Sequence, residues 1–413
     1  MSGHDSSPFS SERKPLDIVI VGGSLAGLMT AIVLVRSGHN VHILERNPTG
    51  LLHDQGAGVV CGPELLAFFT KYDRSKTPLA VVSPMRHYLD QEGGEIDVQY
   101  YEQKMTSWDL LYHLLRINFD GVSQEANGDT VLKENDYGKA TYEYGAAVTN
   151  VERADGGYVD VIYTSSGQGT TKPTDLLIAA DGPSSTIRTI LAPSTRRTYA
   201  GYVAWRGTVP EADLSPSATK ALVEKFTFFH STNLQMLVYV IPGPNGKLTP
   251  GSRLVNWVWY RNYTESSPEH KDVLTDLNGH THRTTLPVGG VQSRLWESQK
   301  EYATQRLPPQ FAELVHKTQQ PFVQAITDAL SEKSVFYDGK VLMVGDAVAG
   351  FRPHTAASAN QAALNALLLE GVAKGTLSLE EWEDIILEYA RDTQKRGVQM
   401  GDRSQFGVHP LSR

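Results

Sequence analysis

Cysteine is nearly absent: Cys61 is the only one in 413 residues. A single thiol excludes an internal disulfide, a cysteine-built zinc site and a thiol relay. It suits a reducing, cytoplasmic setting, and no other residue pattern calls for a metal. Long basic runs are missing as well, and the formal net charge is −8. That balance argues against nucleic acid or an anionic membrane surface as the main partner. No apolar stretch approaches the roughly 18 residues of a membrane-spanning helix. Residues 1–15 are polar and lack the apolar core of a secretory signal, so they read as a disordered tail. Internal repeats are not visible. What remains is ordinary for a soluble enzyme, with 40% hydrophobic and 20% charged residues. The length is enough for two or three domains.

The chain is organised around Asp17 to Arg46. Asp17 to Val21 is a short, β-branched apolar run that suits a buried parallel strand. The turn Gly22-Gly23-Ser24-Leu25-Ala26-Gly27 follows, and then a small apolar helix that stops at Gly38. Val41 to Leu44 is a second strand ending in Glu45. This βαβ unit opens a dinucleotide-binding fold. Gly22 permits the tight turn, and Gly27 lets the helix approach the sheet. The helix N-terminus offers amides and partial positive charge to a pyrophosphate. Glu45 stands 18 residues beyond Gly27, placed to accept from a ribose. Ser24 occupies the usual middle glycine. Either Gly23 supplies the missing freedom or the serine hydroxyl bonds a phosphate oxygen.

Further along, Gln55 to Val60 is a glycine loop able to approach a ligand closely, and Glu64 to Tyr72 is helical. Tyr88 to Tyr101 reads as a hairpin around Gly93-Gly94, and Trp108 to Leu115 as an amphipathic helix. Residues 139–181 form a meander ending in a buried strand at Asp181-Gly182. After about residue 195, aromatic strand-like runs separated by Pro/Gly loops suggest an antiparallel sheet. Pro308 to Ala329 reads as mostly helical. Val341 to Val344 is a buried strand ending at Gly345-Asp346, and a small-residue helix starts near Thr355 and runs to Gly371. Glu380 to Lys395 is a last amphipathic helix.

Three stretches thus share one form, a buried strand ending in glycine and an acid: Gly22 to Glu45, Asp181-Gly182 and Gly345-Asp346. Here the chain resembles, over nearly its whole length, the flavoprotein aromatic hydroxylases, the para-hydroxybenzoate hydroxylase-like FAD monooxygenases. Asp175 to Arg188 is similar to that family's Asp-Gly segment, which contacts both FAD and the nicotinamide nucleotide. Gly345-Asp346 is similar to the segment whose aspartate binds the ribityl chain. Pro353 and Asn360 match its flavin-framing proline and asparagine. The broad family has an arginine where Trp108 stands, Gly-Gln-Gly where Ala356-Ala357-Ser358 stand, and a histidine at Ala349. Gly22-Gly23-Ser24, Thr106 to Asp109, Tyr199 to Val203, Trp205-Arg206-Gly207, Ile241-Pro242-Gly243 and Arg352-Pro353-His354 are similar to a hydroxypyridine-oxidising branch.

The resemblance implies an α/β fold: a Rossmann-like FAD-binding domain with an inserted antiparallel-sheet substrate domain and a C-terminal helix. The FAD part is expected at 16–82, 103–193 and 336–376, the substrate part at 83–102 and 194–335, and the helical segment at 377–413. The implied FAD contacts are Gly22, Gly23, Ser24, Leu25, Ala26, Gly27, Glu45, Arg46, Gln55, Gly58, Val59, Trp108, Asp181, Arg188, Gly345, Asp346, Pro353, Ala356, Ala357, Ser358 and Asn360. FAD is expected to be tight and non-covalent, with NADH or NADPH as a transient visitor. The implied activity is hydroxylation of a phenol, hydroxybenzoate or hydroxypyridine by O2 through a flavin hydroperoxide. Alternatives are decarboxylative hydroxylation, a plain NAD-dependent dehydrogenase and a non-catalytic flavin-binding protein. A homodimer stays open.

His354, beside the expected flavin, is the candidate base, because imidazole titrates near neutrality. The bland alternative is a residue that caps the following helix. Tyr202, Trp205, His230, Trp257 and His282 are candidates for the substrate wall, with Tyr260 beside them, although most such aromatics are expected in the core. Arg206 pairs either with a substrate carboxylate or, preferably, with a surface acid.

Overall fold

The computed structural model describes residues 8–9, 14–50, 58–121 and 138–407. Most of the expected tail, and Gln55, lie outside the described residues. The nucleotide-binding sheet has six strands, in the order Val335–Phe336, Val341–Met343, Leu176–Ala179, Asp17–Val21, Asn40–Glu45 and Ala140–Tyr144. All its pairings are parallel except that of the edge strand Val335–Phe336. The central strands are apolar on both faces because helices cover both. Helix Leu25–Arg36 packs between the sheet and helix Ser358–Ala373. The carboxyl ends of Asp17–Val21, Leu176–Ala179 and Val341–Met343 therefore deliver Gly22, Asp181 and Gly345 to one edge. Ligands bind at such an edge of an open α/β sheet.

A second sheet of ten strands is built mainly from 81–107 and 198–330. Its longest strand toward one edge, Thr198–Pro210, lies antiparallel between Leu254–Asn262 and Phe322–Leu330. Alternation sorts its side chains. Val203 and Trp205 point to one face, where Trp257, Trp259, Trp296, Phe311 and Leu314 form a closed core. Tyr202 and Ala204 point to the other, with Tyr239, Val258, Tyr260 and Phe226. A third sheet, of strands Ala146–Arg153, Val159–Ser165 and Gln168–Thr174, is the expected meander.

Four expectations are corrected. Residues 308–329 are not mostly helical: helix Pro309–Lys317 ends, and Phe322–Leu330 is a strand. Its less buried positions, Gln324, Thr327 and Leu330, recur every third residue and imitate a helix. The cause is a strand covered on both faces. The small-residue helix begins at Ser358, because Ala356 adopts a left-handed φ of 51°. The last helix, Leu379–Gln405, runs well past Lys395. A division at 102/103 would cut the continuous strand Glu95–Ser107, and Gly58–Cys61 joins the large sheet through that strand.

Candidate active site

The glycine turn is shaped as its sequence requires. Gly22 has φ +99°, and a Cβ there would lie 2.4 Å from the Ala180 carbonyl oxygen. At Gly27 a Cβ would lie 1.9 Å from the Gly22 carbonyl oxygen, so only glycine lets the helix seat. Ser24 occupies the N-cap without a side-chain hydrogen bond, which leaves the first-turn amides of Leu25, Ala26 and Gly27 facing outward. Glu45 is buried and accepts from the backbone amides of Gly23 and Asn47, each at 2.9 Å. It therefore shapes the turn as well as facing a ribose position. Tyr142 donates to the Gly23 carbonyl at 3.0 Å and carries the Arg116 guanidinium 4.0 Å above its ring. Trp108 starts its helix and stacks on Tyr112 at 5.1 Å.

Gly345 sits against this turn: a Cβ there would come within 2.6 Å of the Ala26 Cβ. Asp346 follows, half-buried, and its buried Oδ1 has no hydrogen-bond partner among the described residues. Burial pushes its carboxyl up to about 6 against the pull of Ser358, Arg197 and Arg188. An orphaned acceptor beside a phosphate-ready helix end fits the hydroxyls of an FAD ribityl chain. Asp346→Ala should weaken FAD by about tenfold to a hundredfold, the loss of one charged hydrogen bond. The sign with pH is fixed. Hydroxyl donors favour the charged carboxylate, so FAD affinity should fall as pH drops below about 6. For the ligand-free protein the raised value acts oppositely. Its contribution to stability is full below the unfolded value and is lost as pH rises through about 6. FAD titrations across this pH range check the first, and melting curves of the ligand-free protein the second, for wild type and variant.

Asp181 and Arg188 have other duties. Asp181 accepts from the Ser185 hydroxyl and from the amides of Thr186 and Ile187, capping helix Thr186–Leu191. Arg188 donates to the carbonyls of Pro183, Asp346 and Ala347. These two brace the segments around the site with their polar groups turned inward. Arg46 is exposed and lines a cleft of about 270 Å³ with Asp181, Arg197, His282 and Arg283.

A second group closes the gap between the sheets. The Gly58 amide donates to Asn256 Oδ1 at 3.1 Å, and Val59 follows on the same strand. Asn360 Oδ1 accepts from the Gly62 amide at 2.8 Å, and its Nδ2 donates to the Ala356 carbonyl at 3.0 Å. Pro353, Ala357 and Ser358 complete this corner at the start of the helix.

His354 lies here. The Tyr202 hydroxyl is 2.9 Å from its Nε2, and the Tyr260 ring lies 4.4 Å from its ring. Burial, helped by the charge of Arg352, pushes the imidazole down to about 3. Burial also raises the Tyr202 phenol well above its ordinary range. Tyr202 therefore keeps its proton and donates it to a neutral His354. Arg352 pairs with Asp328 at 2.8 Å and with Asp402 of the last helix at 2.6 Å. That helix approaches through Gly401, where a Cβ would fall 2.3 Å from the Tyr202 hydroxyl. Gly401→Ala should displace Tyr202 and slow turnover by about tenfold, the scale of one lost hydrogen bond. FAD content measured by absorbance should not change.

On the same sheet, three and four strands from Tyr202, His230, Phe228 and Tyr88 form an aromatic row at 6.1 and 5.2 Å spacings. Tyr202 and His230 thus share the face turned toward the corner. Trp205 and Trp257 do not: both are fully buried on the opposite face, around Trp296. His282 is also elsewhere, in the Arg46 cleft, 2.9 Å from Asp276. Sequence reasoning did not single out Tyr239 or Asn256, which lie with Arg206 on the Tyr202 face. Strand parity counted from Tyr202 would have found Arg206.

A family model described as an FAD binding domain matches residues 15–63, and one described as FAD binding domain-like matches 199–328. The chain is 27% identical to 2,6-dihydroxypyridine 3-monooxygenase of Paenarthrobacter nicotinovorans, covering 94% of this chain and 92% of that protein. The solved 2,6-dihydroxypyridine-3-hydroxylase of Arthrobacter nicotinovorans superposes with a TM-score of 0.82 at 26% identity, over 96% and 95% of the two chains. The chain is homologous to the FAD-dependent aromatic-ring monooxygenases. A 6-hydroxynicotinate 3-monooxygenase of Bordetella bronchiseptica is 22% identical over 87% of this chain and 83% of its own. The glycine turn lies inside the matched FAD binding domain, residues 15–63. Among the described residues no helix is long and apolar enough to cross a membrane.

Proposed function

We propose that this monooxygenase hydroxylates a small, electron-rich hydroxypyridine-type ring, with FAD, NAD(P)H and O2. The observation that supports the substrate class is the Tyr202–His354 hydrogen bond beside the Tyr260 ring, in a chain similar over 94% of its length to a dihydroxypyridine monooxygenase. Bound FAD would accept hydride from the nicotinamide and supply one oxygen atom of O2 to the ring. The protein's part is to bind, orient and keep dry. Tyr260 offers flat apolar contact to the ring. The Tyr202–His354 pair, with the imidazole neutral, offers hydrogen-bond partners that would hold and orient the ring hydroxyl. A cytoplasmic setting is our reading of the single cysteine, Cys61, which leaves no internal disulfide.

The test is a panel of phenols, hydroxybenzoates and hydroxypyridines offered to the FAD-loaded protein. NAD(P)H oxidation should be slow alone and rise sharply with one of the hydroxypyridines. A response confined to carboxylated phenols that releases carbon dioxide would favour the decarboxylative alternative.

A further inference from the structure

The sheet face that carries Tyr202 is met at its two ends by segments of different kinds. At one end the Gly58 amide reaches Asn256, and Gly58 belongs to a strand that is itself paired into the sheet. At the other end Tyr202 pairs with Asn262 and Tyr260 with Gln235, so Asn262 and Gln235 share the Tyr202 face. The end of the last helix rests there. Asn262 Nδ2 donates to the Gln405 carbonyl at 2.7 Å, the Ser404 hydroxyl donates to Gln235 Oε1 at 3.0 Å, and Asp402 holds Arg352. The Phe406 ring stands edge-on to Tyr202, with 6.1 Å between centroids. Its seat is built into strand Thr198–Pro210. The register slips between Tyr199 and Val203, and Gly201 in that slip has φ +90°. A Cβ on Gly201 would fall 2.9 Å from the Phe406 ring.

The helix end is the weaker of the two closures. It has no β pairing, and Phe406 is 55% exposed. Beneath it, Gln405 Oε1 and Asn262 Oδ1 are buried with no hydrogen-bond partner among the described residues. Water would satisfy both if the turn lifted, which makes lifting easier. Gly397 and Gly401, one turn apart, weaken the helix just before it, because glycine is a poor helix former. Close packing does not demand glycine at 397, where a Cβ would lie 3.5 Å from the nearest atom, Thr355 Cγ2. We infer that residues 401–406 are a lid, which closes the Tyr202–His354 corner over the bound ring and lifts to let it in and out. Ring hydroxylation needs both positions, since the site must exclude water during the reaction and still pass substrate and product. The lid rests on the assignment of that corner to the ring, and adds how the corner is reached.

The FAD-loaded full chain suits a thiol test, because its one natural cysteine, Cys61, is buried. Gln405→Cys places a thiol at a position that is fully buried with the lid down. Labelling with DTNB should be at least about tenfold faster at the new thiol than at Cys61, the mark of local opening. It should slow when the hydroxypyridine that most accelerates NAD(P)H oxidation is bound. Equal protection of the two thiols overturns the lid. Asn262→Cys combined with Gln405→Cys, oxidised to a disulfide, should pin the lid down. FAD should stay bound, while ring-stimulated NAD(P)H oxidation falls by at least about tenfold and returns on reduction. Full turnover by the cross-linked protein overturns the lid. So do two thiols that refuse to join, since the helix end then does not rest on Asn262. Phe406→Ala should still admit the ring but send more NAD(P)H to peroxide, and coupling equal to wild type would count against a seal. If no ring accelerates NAD(P)H oxidation in the wild type while the new thiol still labels fast, the hydroxylase assignment fails and the lid stands.

Discussion

Replacing His354 by alanine should leave FAD bound and lower hydroxylation by about a hundredfold, the scale of a misplaced substrate. Reducing equivalents should appear instead as hydrogen peroxide. The reason is the geometry around Nε2. Tyr202 is 2.9 Å away, and the Tyr260 ring closes one side of the imidazole. With the imidazole gone, the Tyr202 proton has no acceptor and the ring hydroxyl has no partner. The depressed titration of His354 adds a second expectation. A group held at about 3 stays neutral throughout the working range. The rate should therefore show no limb near the ordinary histidine value of about 6.5 that disappears in the variant. The same depression carries a cost in stability. Below the unfolded value of about 6.5 the unfolded chain takes up a proton that the native site refuses. Stability contributed by His354 is thus present above that value and is lost as pH falls toward about 3. Parallel assays of peroxide and hydroxylated product, together with melting curves across that range, check all three statements. Normal coupling in the variant would leave His354 as a helix-end residue only.

Gly27→Val should yield a protein that purifies without colour. A Cβ at this position meets the Gly22 carbonyl oxygen at 1.9 Å, and both partners are backbone. No rotamer relieves such a contact, so helix Leu25–Arg36 must lift from the turn. Its first-turn amides then lose their aim at the pyrophosphate. Overpacking of this kind typically costs about 1–3 kcal/mol even where side chains can yield. Here FAD affinity should fall by at least about a hundredfold. Flavin absorbance relative to protein absorbance reads the effect directly. Gly50→Ala is the matched control, since the nearest atom to its added Cβ is the Tyr144 hydroxyl at 3.8 Å.

The strand–turn–helix that organises the nucleotide site was legible in the sequence because its causes are local. Gly22, Gly27 and Gly38 mark places where the backbone turns or approaches, and an apolar strand precedes each acidic strand end. Asp346 was legible for the same reason. The wall of the substrate cleft was not, because its causes are non-local. Trp205 and Tyr202 are both aromatic and near neighbours in the chain, yet three residues of alternating strand put them on opposite faces. Residues 322–330 imitated a helix because burial on both faces removed the two-residue period. His282 looked like its aromatic neighbours until the fold placed it beside Asp276. The role of the last helix, which reaches Tyr202 through Gly401 and Arg352 through Asp402, had no signal short of the structure.

The most direct test of the central claim uses labelled oxygen. The FAD-loaded protein is given NAD(P)H, ¹⁸O₂ and the hydroxypyridine that most accelerates NAD(P)H oxidation, and the product is weighed by mass spectrometry. The account predicts a ring carrying one new oxygen atom, labelled, with consumption of NAD(P)H matched to product. An unlabelled new oxygen, or NAD(P)H oxidation that yields peroxide and leaves every ring unchanged, would contradict it.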